Sequence, residues 1–289
     1  MQVSVFFKNT KPWGRLFALG FIFVVCSLMA SLFPLPSIDE TATASAIREH
    51  LAGSALVQLV VFLLSANLFA ILFHGTPKTF FQLASQGRHW FLALVAVLVW
   101  ILLIPAIDWL AMWNDTWYLG PMEEPMRKMS HDMLVSTERM LSLTSTGDLL
   151  LQIVVVAFVP ALCEEVFFRG ALQPTMQSLT RNGHWGIVLT AVIFSLAHGD
   201  MFGFLPRIVL GLLLGYLYYQ SGSMIVNVSV HFFNNMVIVV AYHFFNTGYL
   251  AFSPADALRL PCVLTIGCTL GAILLFYIYF MKSKKISNY

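Results

Sequence analysis

Long apolar runs separated by short polar segments set the pattern of this chain from end to end. Eight such runs stand out, at roughly residues 14–35, 54–74, 90–112, 148–173, 185–198, 206–220, 223–245 and 260–281. A helix rises about 1.5 Å per residue, so about 20 apolar residues cross the hydrocarbon of a bilayer. The pattern therefore predicts an all-α, polytopic transmembrane bundle of about eight spans. The fifth and sixth runs are short. They are expected to cross only where the bilayer is thinned or where the helices are buried within the bundle. The first run follows Lys8, Lys11 and Arg15, as in a signal peptide. It is longer than the apolar core of a signal and no A-x-A-like site closes it, so it reads as a retained span.

One polar segment has a period of its own. Across 122–143, Met126, Met129, Met133 and Met140 recur at helical spacing among charged residues. This predicts an amphipathic helix lying on the outer interface. A lid over a substrate path is the functional alternative; a plain surface helix is the simpler one, since methionine stripes commonly cover apolar surface.

Composition strengthens the membrane reading. Hydrophobic residues make up 58% of the chain and charged residues 10%, against about a quarter charged in a soluble domain. Such a chain has too little polar surface to cover itself in water. The net charge of +2 gives no footprint for nucleic acid. Cys26, Cys163, Cys262 and Cys268 all lie in apolar runs, with neither zinc-site spacing nor a disulfide framework, and read as small buried hydrophobes.

Lysine and arginine placement predicts the topology. The basic N-terminus, the loop with Lys78 and Arg88, the loop with Arg181 and the tail with Lys282, Lys284 and Lys285 fall on one side. The loops at 36–53 and 113–147 are richer in acid, with Asp39, Glu40, Glu49, Asp115, Glu123, Glu124, Asp132 and Glu138, and fall on the other. Eight spans with both termini cytoplasmic satisfy all of these placements. With no organelle address evident, a bacterial plasma membrane is expected. The chain divides into spans and amphipathic segment at 1–147, a chemistry-bearing core at 148–245, and a last span with basic tail at 246–289.

Ionisable groups inside spans cost roughly 2.5–3.5 kcal/mol each on insertion scales, so their positions carry information. Span four contains Cys163-Glu164-Glu165-Val166-Phe167-Phe168-Arg169. Glu165 and Arg169 are four apart and share a helix face. Glu164 is turned about 100° from Glu165. The expectation is that Glu165 pairs with Arg169 while Glu164 is left to act as a base. Pro160, one turn earlier, removes a hydrogen bond to the carbonyl of Val156 and predicts a kink. Span five ends in Phe194-Ser195-Leu196-Ala197-His198, and span seven carries His231-Phe232-Phe233-Asn234-Asn235. His231 and Asn235 share a face, Asn234 is rotated off it, and Asn227 extends the same stripe.

The depths agree. By the helical rise, Glu164 lies about 13 Å from the cytoplasmic end of its span, His198 about 20 Å along span five, and His231 and Asn235 about 12 and 18 Å along span seven. One layer holds all four, and the depth of Glu164 predicts access from the cytoplasmic face. A carboxylate and a histidine can deprotonate a water. A second histidine and an asparagine amide can stabilise an oxyanion. Together they would suffice to hydrolyse an amide without a covalent intermediate.

The three patterns, Glu164-Glu165-x-x-x-Arg169, Phe194-x-x-x-His198 and His231-x-x-x-Asn235, resemble the motifs of the CPBP family, the CAAX proteases and bacteriocin-processing enzymes also called Abi, which includes the Ras-converting CAAX endopeptidases. The resemblance covers about 148–245. It implies an intramembrane, glutamate-dependent and metal-independent endopeptidase without a cofactor. Glu164 would be the general base aided by His198, His231 and Asn235 would form the oxyanion hole, and Glu165 and Arg169 would support Glu164. The partner would be a peptide or membrane-protein substrate. Other readings stay open at this point. A Glu164, His198 and His231 set could hold zinc. Intramembrane Glu and His also serve proton-coupled transporters. An immunity scaffold would keep the spans without chemistry. Cys163 as a nucleophile lacks an activating partner at helical spacing.

Overall fold

The computed structural model describes residues 7, 9–39, 41–74, 87–251, 253–254 and 260–281. Lys8, Glu40, Lys78, Lys282, Lys284 and Lys285, which entered the topology argument, lie outside the described residues. The described residues form helices and turns with no strand. In order, the helices are α1 Pro12–Ser31, α2 Ala44–His74, α3 Gly87–Asp115, α4 Glu123–Met140, α5 Thr146–Thr180, α6 Gly183–Leu196, α7 Phe204–Ser221, α8 Met224–Asn246 and α9 Cys262–Phe280. Helices α1, α2, α3, α5, α8 and α9 are long and apolar enough to cross a membrane, and α6 is a shorter apolar helix. The protein is therefore an integral, multi-pass membrane protein, and the eight predicted runs fall on α1 to α3 and α5 to α9. The amphipathic segment forms α4.

The boundaries shifted where local chemistry outweighs hydropathy. Helix α2 begins ten residues earlier than the apolar run, because the Thr43 hydroxyl accepts from the amide of Ala46 and caps a polar first turn. Helix α5 continues past Pro174 to Thr180. A π-helical stretch at Val166–Leu172 precedes that proline, and a second one at Ile153–Phe158 precedes Pro160. These wider turns replace the sharp kink expected at Pro160, since a π turn takes up a register change inside a continuous helix.

Polar ties between loops confirm that successive helices run in opposite directions. Arg48 at the start of α2 pairs with Asp148 at the start of α5, at 2.7 Å. Asn246 at the end of α8 donates to the carbonyl of Leu141, at 2.9 Å. All these groups lie on the face that carries α4. Two apolar cores flank α5. One joins α1, the second half of α2, the second half of α5 and Phe194 of α6. The other joins α3, α7, the first half of α8 and α9.

Helix α6 has 14 residues, about 21 Å of rise, less than a bilayer's hydrocarbon thickness of about 30 Å. Its last residue is exposed, and the chain turns back into α7 beside the end of α3 and α4. An irregular turn has to satisfy its own backbone. Asn114, at the end of α3, does much of this: its Nδ2 donates to Met201 O at 2.9 Å and its Oδ1 accepts from Leu205 N at 2.7 Å. The Ser195 hydroxyl donates to Phe204 O at 2.7 Å, and Asp200 pairs with Arg207 at 2.7 Å. From α4, Arg127 lies over the Phe202 ring at 4.1 Å, a cation–π contact that ties the amphipathic helix to this turn.

Candidate active site

The polar groups of α5, α6 and α8 converge on a single cluster. Glu165 is its hub and is fully buried. Arg169 Nε donates to Glu165 Oε2 at 3.2 Å, one turn along the same helix as expected. From α8, Asn227 Nδ2 donates to the same oxygen at 3.1 Å, and His231 Nδ1 donates to Oε1 at 3.0 Å. The guanidinium of Arg169 lies 5.4 Å from the centre of the Phe194 ring. This set of charge-assisted bonds locks the middle of α5 to the first half of α8.

Glu164 faces away from that hub, as the helical geometry requires. Its Oε2 is buried and accepts no hydrogen bond among the described residues. The nearest histidine nitrogen is His231 Nε2, at 3.9 Å, too long for a direct hydrogen bond and short enough for one water to bridge. His231 thus stands between the two carboxylates, Nδ1 on Glu165 and Nε2 toward Glu164.

His198 lies just beyond the end of α6, in the turn rather than in the helix predicted to carry it. The backbone reason is local. Gly199 adopts φ +73°, and its amide bonds back to Leu196 O at 3.0 Å. A glycine in this left-handed conformation ends a helix at no steric cost. His198 Nδ1 donates to Phe194 O at 2.8 Å, so the neutral ring keeps Nε2 as its acceptor. The Phe194 ring packs edge-on against both His198, at 4.9 Å, and His231, at 5.9 Å. Phe194 thus stands between the two histidines.

Asn235 is half-buried on α8. Asn234, which the helical geometry left without a partner, donates from Nδ2 to Asn235 Oδ1 at 2.8 Å. With its carbonyl oxygen occupied, the Asn235 amide is oriented to present its N–H donors. His198 and Asn235 border one cavity of about 580 Å³, with Gln58, Pro160, Thr137 and Met140 also on its wall. Pro160 is one turn from Glu164.

Two residues enter that the sequence argument did not use in full. Asn227 was placed on the stripe with His231, and its contact with Glu165 gives it a partner. Gln58, from α2, was not singled out; its Nε2 donates to Glu164 Oε1 at 3.5 Å. Its only signal was an amide in an apolar run. Cys163 is fully buried and enters none of these contacts. Among the described residues, no three His, Cys, Asp or Glu side chains are grouped to hold a metal ion.

The cavity wall includes Leu35, Thr137 and Met140, at or beside the face that carries α4. Measured on the real helix, Glu164 is 16 residues from Thr180 and 18 from Thr146, so it sits at mid-depth rather than nearer the end expected to be cytoplasmic.

No curated protein and no solved structure matches the chain. A family model described as type II CAAX prenyl endopeptidase Rce1-like matches residues 146–237, about a third of the chain. That segment runs from the start of α5 to the middle of α8 and contains every motif residue. Over the helices that build the site, this membrane protein is similar to the Rce1-like type II CAAX prenyl endopeptidases, a family of proteases, as its three motifs implied.

Proposed function

We propose that the protein is an intramembrane endopeptidase in which Glu164 activates a water. The observation that carries this reading is the approach of His231 to Glu164, at 3.9 Å, next to a cavity that His198 and Asn235 border. Glu164 Oε2 takes a proton from the water as the water oxygen bonds to the scissile carbonyl carbon. The carbonyl π pair moves onto its oxygen, where the Nε2–H of a protonated His231, whose Nδ1–H is held by Glu165, and the Asn235 amide stabilise it. The proton then passes to the amide nitrogen as the C–N bond breaks, leaving a carboxylic acid and an amine. His198, with Nε2 as acceptor, orients the water. Glu165 and Arg169 hold His231 and the α5 backbone in place.

In this reading α5 to α8, within 148–245, form the catalytic core. Helices α1 to α4 brace it and roof the cavity, and 246–289 closes the bundle. The substrate is a peptide or a membrane protein. The first test is a cleavage assay with purified protein over a library of peptides and membrane proteins, with a chelator present. Cleavage that survives chelation is expected. Cleavage abolished by the chelator and restored by zinc would replace this mechanism with a metal-dependent one. Proton-coupled uptake into vesicles, without cleavage, would favour transport instead.

The lysine and arginine bias favours a bacterial plasma membrane with cytoplasmic termini, and therefore a cavity reached from the opposite face. Thr137 is on the cavity wall and half-buried. In a background with the four native cysteines replaced, Thr137→Cys is expected to react with a membrane-impermeant maleimide added outside intact cells. Reaction only after the cytoplasmic face is opened would reverse the orientation and make the cavity cytoplasmic.

A further inference from the structure

Gln58 reaches the site from α2, outside the three motifs and outside residues 146–237. Three observations describe its setting. Its Nε2 donates to Glu164 Oε1, at 3.5 Å. Its Oε1 is buried and has no hydrogen-bond partner among the described residues. Its side chain borders the cavity that His198 and Asn235 also border. The backbone around it is held firmly. A π-helical stretch begins at Leu59, the next residue. One turn on, the Phe62 ring packs against Phe167 at 5.6 Å and Phe168 at 5.9 Å. Those two rings follow Glu164 closely on α5, so the same contact that seats α2 on α5 sets the amide against the carboxylate. Gln152, Gln173 and Asn227 also leave a buried amide oxygen without a partner among the described residues, so what distinguishes Gln58 is the carboxylate it donates to and the cavity it borders.

We propose that Gln58 is a positioning residue for hydrolysis. Its N–H group holds Glu164 Oε1, which turns Oε2 toward the water that His198 orients. The proposal rests on the function proposed above and adds a helix that the motifs do not reach. It also gives α2 a part beyond bracing.

The test compares wild type, Gln58→Leu, Gln58→Glu and Glu164→Gln. Gln58→Glu keeps the shape and replaces the donor with a second carboxylate, so it controls for packing. Both Gln58 variants are expected to lose about 10–100-fold in kcat, the effect of one hydrogen bond to a charged group, with KM little changed. In the Glu164→Gln background, Gln58→Leu is expected to add no further loss, because the two groups act as a unit. A structural amide would add the loss of Gln58→Leu independently in the Glu164→Gln background. A second readout needs no substrate: the rate at which dicyclohexylcarbodiimide labels Glu164, followed by peptide mass spectrometry, is expected to change in Gln58→Leu. Unchanged kcat and unchanged labelling in both Gln58 variants, with Glu164→Gln inactive, would overturn this inference alone. Full cleavage by Glu164→Gln would overturn the proposed function itself.

Discussion

Glu164→Gln is expected to lower kcat by about 10²–10⁴-fold, the usual contribution of a positioned general base, with little change in folding. The two halves of this expectation have separate grounds. Glutamine keeps the size of the side chain and can still meet Gln58, but it cannot take a proton. Glu164 is not part of the Glu165–Arg169 ion pair; its Oε2 has no hydrogen bond among the described residues and lies 3.9 Å from His231 Nε2. Removing its charge therefore leaves the Glu165 cluster intact and relieves part of the cost of burying a carboxylate. Cleavage rates, far-UV circular dichroism and thermal melting in detergent would be measured on the same preparations. A variant that cleaves as wild type would show that another group is the base, with His198 the next to test. A variant that fails to fold would show that Glu164 belongs to the structural cluster after all.

Arg169→Met is expected to show the opposite pattern, a loss of about 3–5 kcal/mol in stability, with activity falling because the folded fraction falls. Arg169 is fully buried, and its Nε is 3.2 Å from Glu165 Oε2. Methionine fills part of the space but leaves the Glu165 carboxylate without its compensating cation. Asn227 and His231 still donate to Glu165, so part of the cluster survives. The pair can be tested as a pair. Glu165→Gln combined with Arg169→Met removes both charges and is expected to recover much of the lost stability, since a buried ion pair is worth little against neutral groups that fit. Urea or thermal melts in one detergent would be compared across wild type, the single variant and the double variant. A single variant as stable as wild type would show that the ion pair is dispensable and that apolar packing alone holds this part of α5.

The contrast between these residues was already visible in chain position. Adjacent carboxylates on a helix cannot face the same way, and a spacing of four from Glu165 to Arg169 chooses which one pairs. The same spacing joined His231 to Asn235 and to Asn227. Span number, the amphipathic helix, and the order of the three motifs were also legible, because each rests on period or depth along one helix. Not legible was anything that depends on which face of one helix meets another. Gln58 is one polar residue among apolar ones, and no spacing within α2 tells that it meets Glu164, 106 positions away. Asn114 lies just past the third predicted run and is the clasp of the turn that carries His198.

Within one helix, then, the sequence by itself determined the bundle of spans, the separation of Glu164 from Glu165 and the chemistry those groups could perform, since backbone geometry is the same wherever a helix sits. Only the tertiary structure decided that His231 stands between the two carboxylates, that His198 rests on a turn ended by Gly199, and that the cavity lies on the face of α4. Those outcomes follow from how apolar faces pack and how each buried backbone or carboxylate group finds a partner, and such constraints exist only between helices.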